Sequence, residues 1–266
     1  MSKRPNRFYT GYVFDLDGTV YLGEALLPGA RRTIETLRRR ECRIAFVSNK
    51  PVDTRQSYAD KLTRLGLPTP VEDVVNSSQV LVRWLSEHAP GAKVFPIAEQ
   101  VLIRELEEAG LVVTDVPGEI EYVIASFDRT FVYRKLQVAF DAIRAGARLI
   151  ASNADAYCPV PGGGEPDAAS IIAAIEACTG CKNELVAGKP SALMVRTAMA
   201  VLGTDPAESI MVGDRVETDI LMGQRAGMAT AMPLTGATTL EKLAQSEVQP
   251  DYILERLDDL LPDGAT

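Results

Sequence analysis

Two carboxylates separated by one residue directly follow the first strand-like stretch of the chain. Residues 12–14 form a short apolar run, and Asp15 and Asp17 come immediately after it. Carboxylates at positions i and i+2 of a strand end can point into the same space, where each raises the pKa of the other unless a cation intervenes. Mg²⁺ prefers oxygen ligands from one or two carboxylates and a phosphate. Taken alone, the pair indicates either such a metal site or a solvated turn.

Three further apolar runs also end in polar side chains. These side chains are Ser48 and Asn49 after the second run, Lys189 after the third, and Asp214 with Asp219 after the fourth. Ligands of open parallel sheets bind at the carboxyl ends of the strands, so we expect these groups to meet Asp15 and Asp17 at one edge. Asp214 would add an oxygen ligand for the metal. Lys189 would either hold a phosphate oxygen or neutralise Asp15.

Short β-rich runs alternate with helical patterns almost from end to end, which is typical of parallel α/β architecture. The sequence predicts a Rossmann-like parallel sheet, with helices on both faces, built from residues 1–79 and 181–266. Residues 80–180 are predicted to form an inserted, smaller α/β domain, which is an ordinary size for a domain. Within it, residues 153–166 are rich in Pro and Gly and are predicted to form a loop.

Charge and composition exclude several classes of function. The 266 residues carry a formal net charge of −8 and contain no long basic run, so a nucleic-acid partner is not expected. No apolar stretch reaches the length of a membrane span, and the sequence predicts a cytoplasmic protein without membrane contact. His88 is the only histidine, and it lies near a predicted helix end. Mechanisms that need a Ser–His or Cys–His pair are therefore disfavoured.

Cys178 and Cys181 form a C-x-x-C pattern that is compatible with redox chemistry, zinc binding or a purely structural role. Reactive pairs lie at helix N-termini, where the helix dipole favours the thiolate. This pair follows an Ala- and Ile-rich helical pattern and includes Gly180, which indicates a helix C-terminus. No second cysteine pair or histidine cluster completes a zinc site. The structural interpretation is favoured.

Four ordered segments resemble the motifs of the haloacid dehalogenase superfamily. Residues 15–19 are similar to its first motif, D-x-D-G-T, and Ser48-Asn49 to its second. Lys189 is similar to the third, and Gly213-Asp214 with Thr218-Asp219 to the fourth. Tyr21, Gly23 and the form of the fourth motif resemble the NagD-type and p-nitrophenyl phosphatases, class IIA. In that group an α/β cap lies between the second and third motifs, where the insertion is predicted here.

The resemblance implies a Mg²⁺-dependent phosphatase that hydrolyses a small phosphomonoester through an aspartyl-phosphate. Asp15 would attack phosphorus, and Asp17 would protonate the leaving oxygen and then deprotonate the attacking water. Asp15, the backbone carbonyl of Asp17 and Asp214 would bind Mg²⁺. Asp219 would orient Lys189 or a metal-bound water.

The phosphoryl oxygens would be held by Ser48, Asn49 and Lys189, which is the electrostatic part of phosphoryl transfer. Dehalogenases need no acid at the position of Asp17. Phosphomutases usually carry a small helical cap between the first and second motifs. Here only about 30 residues separate Asp17 from Ser48, which is enough for one βα crossover and not for a cap. These two differences favour a phosphatase.

The inserted domain would supply the residues that select the substrate. Asn153, Asp155 and Gly163 are predicted substrate contacts, with Gly162, Gly163 and Gly164 either cradling an anion or forming a flexible loop. The resembling enzymes act on sugar phosphates, nucleotides, glycerol phosphate, phosphoglycolate or pyridoxal phosphate, and a homodimer through the cap is left open. The alternative function is a non-catalytic binder of a phosphorylated metabolite.

Overall fold

The computed structural model of the protein describes residues 4–160 and 163–264, and these divide into two compact units. The first unit comprises the described residues up to Ser48, Arg55–Val75, and those from Lys189 onward. The second comprises Asn49–Thr54 and the described residues of Asn76–Gly188. The predicted insertion, residues 80–180, lies within this second unit, which extends beyond it at both ends.

The strands of the described residues form two larger sheets and two two-stranded sheets. In chain order they are β1 (Gly11–Asp15), β2 (Tyr21–Leu22), β3 (Ala25–Leu26), β4 (Arg43–Ser48), β5 (Val74–Asn76), β6 (Lys93–Ile97), β7 (Val112–Val113), β8 (Tyr122–Ala125), β9 (Arg148–Ala151), β10 (Tyr157–Val160), β11 (Gly163–Pro166), β12 (Leu185–Val186), β13 (Ser209–Val212), β14 (Ala229–Pro233) and β15 (Tyr252–Leu254).

Helices connect these strands. The α-helices are α1 (Ala30–Arg39), α2 (Arg55–Arg64), α3 (Ser77–His88), α4 (Gln100–Glu108), α5 (Tyr133–Arg144), α6 (Ala168–Thr179), α7 (Ala192–Leu202), α8 (Leu221–Ala226) and α9 (Leu240–Gln245). Short 3₁₀ turns lie at Val71–Asp73, Pro117–Glu119, Pro206–Glu208 and Leu257–Leu260, and a π-helical turn at Val216–Ile220 precedes α8. Among the described helices, none combines the length and the apolar character that crossing a bilayer requires.

The first unit contains a six-stranded sheet in the order β15-β14-β13-β1-β4-β5. β1 lies between β13 and β4 and pairs with both in parallel. The register places Asp15 opposite Val47 and Phe14 opposite Val212, so the carboxyl ends of three neighbouring strands lie side by side. The predicted parallel α/β fold is confirmed, and its central strand carries the first motif at its end.

Apolar side chains on β1 and β4 form much of the core of this unit. Every residue of β1 is buried, as expected for a central parallel strand covered on both faces. The rings of Tyr12 and Phe14 are stacked with centroids 6.0 Å apart, and Phe14 lies 6.1 Å from Phe46. Burial of one such side chain stabilises the fold by roughly 1.5–3 kcal/mol. The strand that carries Asp15 is therefore packed on both sides along its length.

The second unit contains a five-stranded sheet in the order β12-β9-β8-β6-β7, with parallel pairing throughout. Val123 and Leu149 pack with Ile171 and Ile175 of α6 in its core. β12 pairs with β9 of this sheet. The prediction that the third apolar run, which precedes Lys189, belongs to the first sheet is therefore wrong. An apolar run this short carries no information about which sheet it joins.

Residues predicted as a loop contain a two-stranded hairpin, β10–β11, with Tyr157 opposite Pro166. The loop prediction for residues 153–166 is wrong for the two strands of this hairpin. Pro and Gly have low strand propensity, so the sequence gives no strand signal there. Each strand of a two-stranded ribbon has a free edge, where Pro is tolerated. Gly163 and Gly164 belong to β11, whereas Gly162 lies outside the described residues.

Candidate active site

Asp15, the last residue of β1, is buried and forms an ion pair with Lys189. The Lys189 Nζ lies 2.5 Å from Asp15 Oδ1 and 2.7 Å from Asp219 Oδ1. Lys189 is itself only 3% exposed, so its charge is compensated by these carboxylates rather than by solvent. Of the two roles predicted for Lys189, the structure contains the contact that neutralises Asp15.

Lys189 is held charged despite its burial. Burial alone would lower the pKa of its ammonium group, but the negative charges of Asp15 and Asp219 and their hydrogen bonds raise that pKa above its ordinary value. A permanently charged ammonium group in contact with Asp15 can offset negative charge that is brought to this carboxylate.

Asp214, which follows β13, has one carboxylate oxygen satisfied and one without a partner. Its Oδ2 accepts a hydrogen bond of 2.5 Å from the Ala237 N–H, whereas its Oδ1 is buried and has no hydrogen-bond partner. Burial and the charge of Asp15 raise the pKa of Asp214 to about 6. An unpartnered buried carboxylate oxygen is costly unless a cation or donor meets it.

Three carboxylates converge at this point. Single oxygens of Asp15, Asp214 and Asp219 all lie within 4.8 Å of one another. Three carboxylates beside one ammonium group leave an excess of negative charge, and this donor set suits a hard divalent cation with oxygen ligands. The unpartnered Oδ1 of Asp214 fits such an ion. The three residues therefore form a candidate divalent-metal site, with Asp15 and Asp214 among its predicted ligands.

Asp219 has donors on both of its oxygens. Oδ1 accepts from Lys189, and Oδ2 accepts from the Arg215 N–H at 3.0 Å. Asp219 lies in the π-helical turn Val216–Ile220, which follows β13. Such turns often occur at functional sites. A Cβ on Gly213 would overlap the Asp219 carboxylate, so only glycine fits there. Burial raises the pKa of Asp219 to about 7, although Lys189 opposes this shift.

Asp17 lies in a tight turn and is half-exposed. The Gly18 N–H donates to the Tyr21 carbonyl at 2.8 Å, and Gly18 has a φ of 89°, which favours glycine. The Tyr21 hydroxyl donates to Asp17 Oδ2 at 3.4 Å. Burial and the charge of Asp17 raise the pKa of Tyr21 far above its ordinary value, so it remains a donor. The greater exposure of Asp17 suits a group that exchanges protons with substrate or water.

Ser48 and Asn49 are adjacent in the chain but belong to different units. Ser48 ends β4 and is buried in the first unit, whereas Asn49 belongs to the second. The Asn49 Nδ2 donates to Asp155 Oδ1 at 3.0 Å. The Asn49 carbonyl accepts from Ser77 Oγ at 2.7 Å and from Asn153 Nδ2 at 2.9 Å. Asn49 is therefore held by three side chains.

The residues predicted as substrate contacts have different surroundings. Asn153 is fully buried, and both Asn153 and Asp155 bond to Asn49. Gly163 is exposed at the start of β11, with nothing within 4 Å of the position its Cβ would occupy. The structure thus brings two of the three together around Asn49, and Gly163 is not part of that group.

The sequence reasoning did not identify two contributors to this region, Tyr21 as a partner of Asp17 and the segment 235–238 as a partner of Asp214. The second could have been found, because this segment follows the apolar strand β14 and is rich in hydroxyl and glycine residues. It therefore shows the same strand-end pattern as the four motifs.

The cysteine pair lies as predicted at a helix C-terminus. Cys178 is near the end of α6, and Gly180 has the left-handed conformation that terminates the helix, with φ 74°. Both cysteines are free thiols. The helix dipole at this end disfavours a thiolate, in agreement with the structural interpretation.

Comparison with known proteins identifies the family of this chain. A family model for haloacid dehalogenase-like hydrolases matches residues 12–112, and a second model of HAD-hydrolase-like proteins matches residues 186–260. The sugar-phosphatase AraL of Bacillus subtilis is 40% identical over 250 residues, which is 94% of this chain and 91% of AraL.

Solved structures of related proteins have the same fold. A 4-nitrophenylphosphatase from Thermotoga maritima superposes with a TM-score of 0.89 at 35% identity, covering 95% of this chain and 96% of its own. NagD from E. coli K-12 superposes with a TM-score of 0.84 at 27% identity, covering 95% and 98%. The chain therefore belongs to the haloacid dehalogenase superfamily, in its NagD-type group of phosphatases.

Proposed function

We propose that this protein is a Mg²⁺-dependent phosphomonoesterase that forms an aspartyl-phosphate on Asp15. The observation that carries the proposal is the position of Asp15, a buried carboxylate at the end of the central strand with Lys189 at 2.5 Å. The unpartnered oxygen of Asp214 lies in the same carboxylate cluster. Nucleophile, countercharge and metal ligand are the parts that phosphoryl transfer requires.

In the first proposed step, a carboxylate oxygen of Asp15 forms a bond to phosphorus and the bond from phosphorus to the leaving oxygen breaks. Asp17, protonated, gives its proton to that oxygen, so the alcohol leaves neutral. In the second step, Asp17 as a carboxylate takes a proton from water. The water oxygen attacks phosphorus, and phosphate leaves while Asp15 is regenerated.

The phosphoryl group would be held by residues from several strand ends. Ser48 and Asn49 would donate hydrogen bonds to its oxygens, and Lys189 would offset its charge while Asp219 keeps the ammonium group oriented. Asp15, Asp214 and the backbone carbonyl of Asp17 would hold Mg²⁺. When bound, this ion would neutralise negative charge on the phosphoryl oxygens.

The proposed substrate is a small phosphorylated metabolite. The relatives are named for sugar phosphates and for 4-nitrophenyl phosphate, which supports this chemical class but does not select one member of it. Sugar phosphates, nucleotides, glycerol phosphate and phosphoglycolate form the first panel to assay. We propose that the second unit is the cap implied by the resemblance, and that it contains the selecting residues and covers the substrate during turnover.

The test is phosphate release from 4-nitrophenyl phosphate and from this panel, with and without MgCl₂. We expect turnover with Mg²⁺, its loss with EDTA and its return when Mg²⁺ is added back. Asp15→Asn should lower kcat by at least about a thousandfold, because the amide is not a nucleophile. A circular dichroism spectrum like that of the wild type would show that the variant is folded.

Two outcomes of these assays would contradict the proposed function. If the wild type releases no phosphate with any divalent cation but binds the phosphorylated compounds, the protein is a binder and not an enzyme. If Asp15→Asn retains full activity, the covalent route through Asp15 is excluded.

A further inference from the structure

The segment Thr235, Gly236, Ala237 and Thr238 lies between β14 and α9 and belongs to none of the four motifs. We propose that it is a positioning element for Asp214, which sets one oxygen of this carboxylate toward a divalent cation. The inference rests on the metal site of the proposed function, and all the residues concerned belong to the first unit.

Backbone groups of the segment hold Asp214 at two points. The Ala237 N–H donates to Asp214 Oδ2, and the Thr238 N–H donates to the Asp214 carbonyl at 3.3 Å. The first bond leaves Oδ1 as the only carboxylate oxygen of Asp214 without a partner, and that oxygen is buried. A carboxylate anchored through one oxygen presents the other in a fixed direction.

Gly236 allows the segment to approach so closely. A Cβ at this position would overlap the side chain of Asp214. A Cβ on Gly18 would lie 2.8 Å from Asp214 Oδ2 and 3.3 Å from the Gly236 Cα. Two glycines, one from the first motif and one from this segment, therefore approach the Asp214 carboxylate too closely for a side chain at either position.

The threonine side chains tie the segment to both motifs. Thr235 Oγ1 donates to the Gly18 carbonyl at 2.8 Å, and Thr238 Oγ1 accepts from the Val216 N–H at 3.4 Å. The segment thus links the turn that contains Asp17 to the turn that contains Asp219. We infer that it aligns ligands from two strand ends, as the outer hydrogen bonds of metal sites commonly do.

The experiment measures Mg²⁺ binding by isothermal titration calorimetry, together with the Tm of the metal-free protein. Thr235→Val removes the bond to Gly18, and Thr235→Ser restores the hydroxyl. Gly236→Ala adds the overlapping Cβ. The matched control is Thr239→Val, since the Thr239 hydroxyl accepts from the Lys242 N–H as the cap of α9 and does not contact Asp214.

We expect Thr235→Val and Gly236→Ala to raise the Kd for Mg²⁺ about tenfold or more, in the range seen for outer-sphere changes. Thr235→Ser should bind like the wild type. Thr239→Val should lower the Tm and leave the Kd unchanged. In assays with 4-nitrophenyl phosphate, the Mg²⁺ concentration for half activation should rise for the first two variants, with little change in KM for the ester.

The outcomes separate this inference from the proposed function. If the wild type binds no Mg²⁺, the proposed metal site fails. If the wild type binds Mg²⁺ and a folded Thr235→Val variant has the same Kd, the inference is overturned while the proposed function stands. Thr235→Val decides the matter alone if Gly236→Ala does not fold.

Discussion

Lys189 is the residue on which the buried charges of the candidate site depend. Its ammonium group is in contact with Asp15 and Asp219, and all three side chains are largely buried. Removal of one partner from such a group leaves uncompensated charge in a medium of low dielectric, which is far more costly than the loss of an exposed pair. The stability of the metal-free protein should therefore depend on this one lysine.

Lys189→Met should lower the free energy of unfolding by about 3–5 kcal/mol in the absence of metal. Urea titrations at pH 7.5 with EDTA measure this loss. The matched control is Lys182→Met, which removes an exposed pair with Glu176 at 2.9 Å and should change stability by less than about 1 kcal/mol. Equal effects of the two substitutions would contradict the assignment of Lys189 as the central countercharge.

Asp214 should make the metal-free protein less stable as pH rises. Its pKa is raised to about 6 by burial and by the charge of Asp15, above the value near 3.8 expected in the unfolded chain. Between these two values the folded state binds more protons, so the free energy of unfolding falls as pH rises through this window and then stays low. The contribution is on the order of 3 kcal/mol.

Asp214→Asn should therefore be more stable than the wild type at pH 7.5 without metal, and this gain should vanish near pH 4. Mg²⁺ should stabilise the wild type and leave the variant unaffected, because the variant lacks the carboxylate ligand. Thermal unfolding across pH 4–8, with and without MgCl₂, measures both effects. The opposite result would be a wild-type free energy of unfolding that rises between pH 4 and pH 6 while that of Asp214→Asn does not. It would contradict the raised pKa of Asp214.

At the scale of elements, the segment after β9 acts on Asn49. Asp155 accepts from the Asn49 side chain, and Asn153 donates to the Asn49 carbonyl. A Cβ on Gly188 would lie 2.5 Å from Asn49 Oδ1, so the amide is also confined sterically. These contacts hold the side chain of the second motif in one orientation.

Asp155→Ala should release the Asn49 side chain and lower kcat/KM for 4-nitrophenyl phosphate about fivefold, because one partly buried hydrogen bond contributes on the order of 1 kcal/mol. Asp155→Asn keeps an acceptor oxygen and should retain more activity. The control is Asp141→Ala on α5, whose exposed carboxylate accepts a hydrogen bond from Gln137. Equal activity of Asp155→Ala and the wild type would exclude a positioning role for Asp155.

At the scale of whole elements, the sequence predicted the central features of the first sheet. β1, β4 and β13 lie close to the predicted runs, since continuous apolar residues mark strands buried on both faces. It missed β5 and β15, and it missed the hairpin β10–β11. In the hairpin, Pro and Gly give no strand signal, and only the pairing of the two segments makes them strands.

At the scale of the whole molecule, the two units each contain their own parallel sheet and core. The alternation of strands and helices predicted an insertion, and the second unit contains it. Its limits differ from the prediction, because Asn49–Thr54 and residues 76–79 and 181–188 also belong to the second unit. Where the chain passes from one unit to the other, the composition of the sequence does not change. Only the contacts of these segments in the folded protein show to which unit they belong.

Residue type and order by themselves determined which polar groups follow the apolar runs of this chain and which family their motifs resemble. Two aspartates after the first run, with a lysine and two further aspartates after later runs, predict oxygen ligands and a countercharge at one sheet edge. The resemblance of the motifs adds phosphoryl transfer to that prediction. Tertiary structure decided the rest, including the contact of Lys189 with both carboxylates, the closure of segment 235–238 on Asp214 and the three side chains around Asn49. The physical reason is that the type of each residue fixes which ligand atoms it can offer. Most of the contacts, by contrast, join residues far apart in the chain, and their proximity depends on the packing of the folded unit.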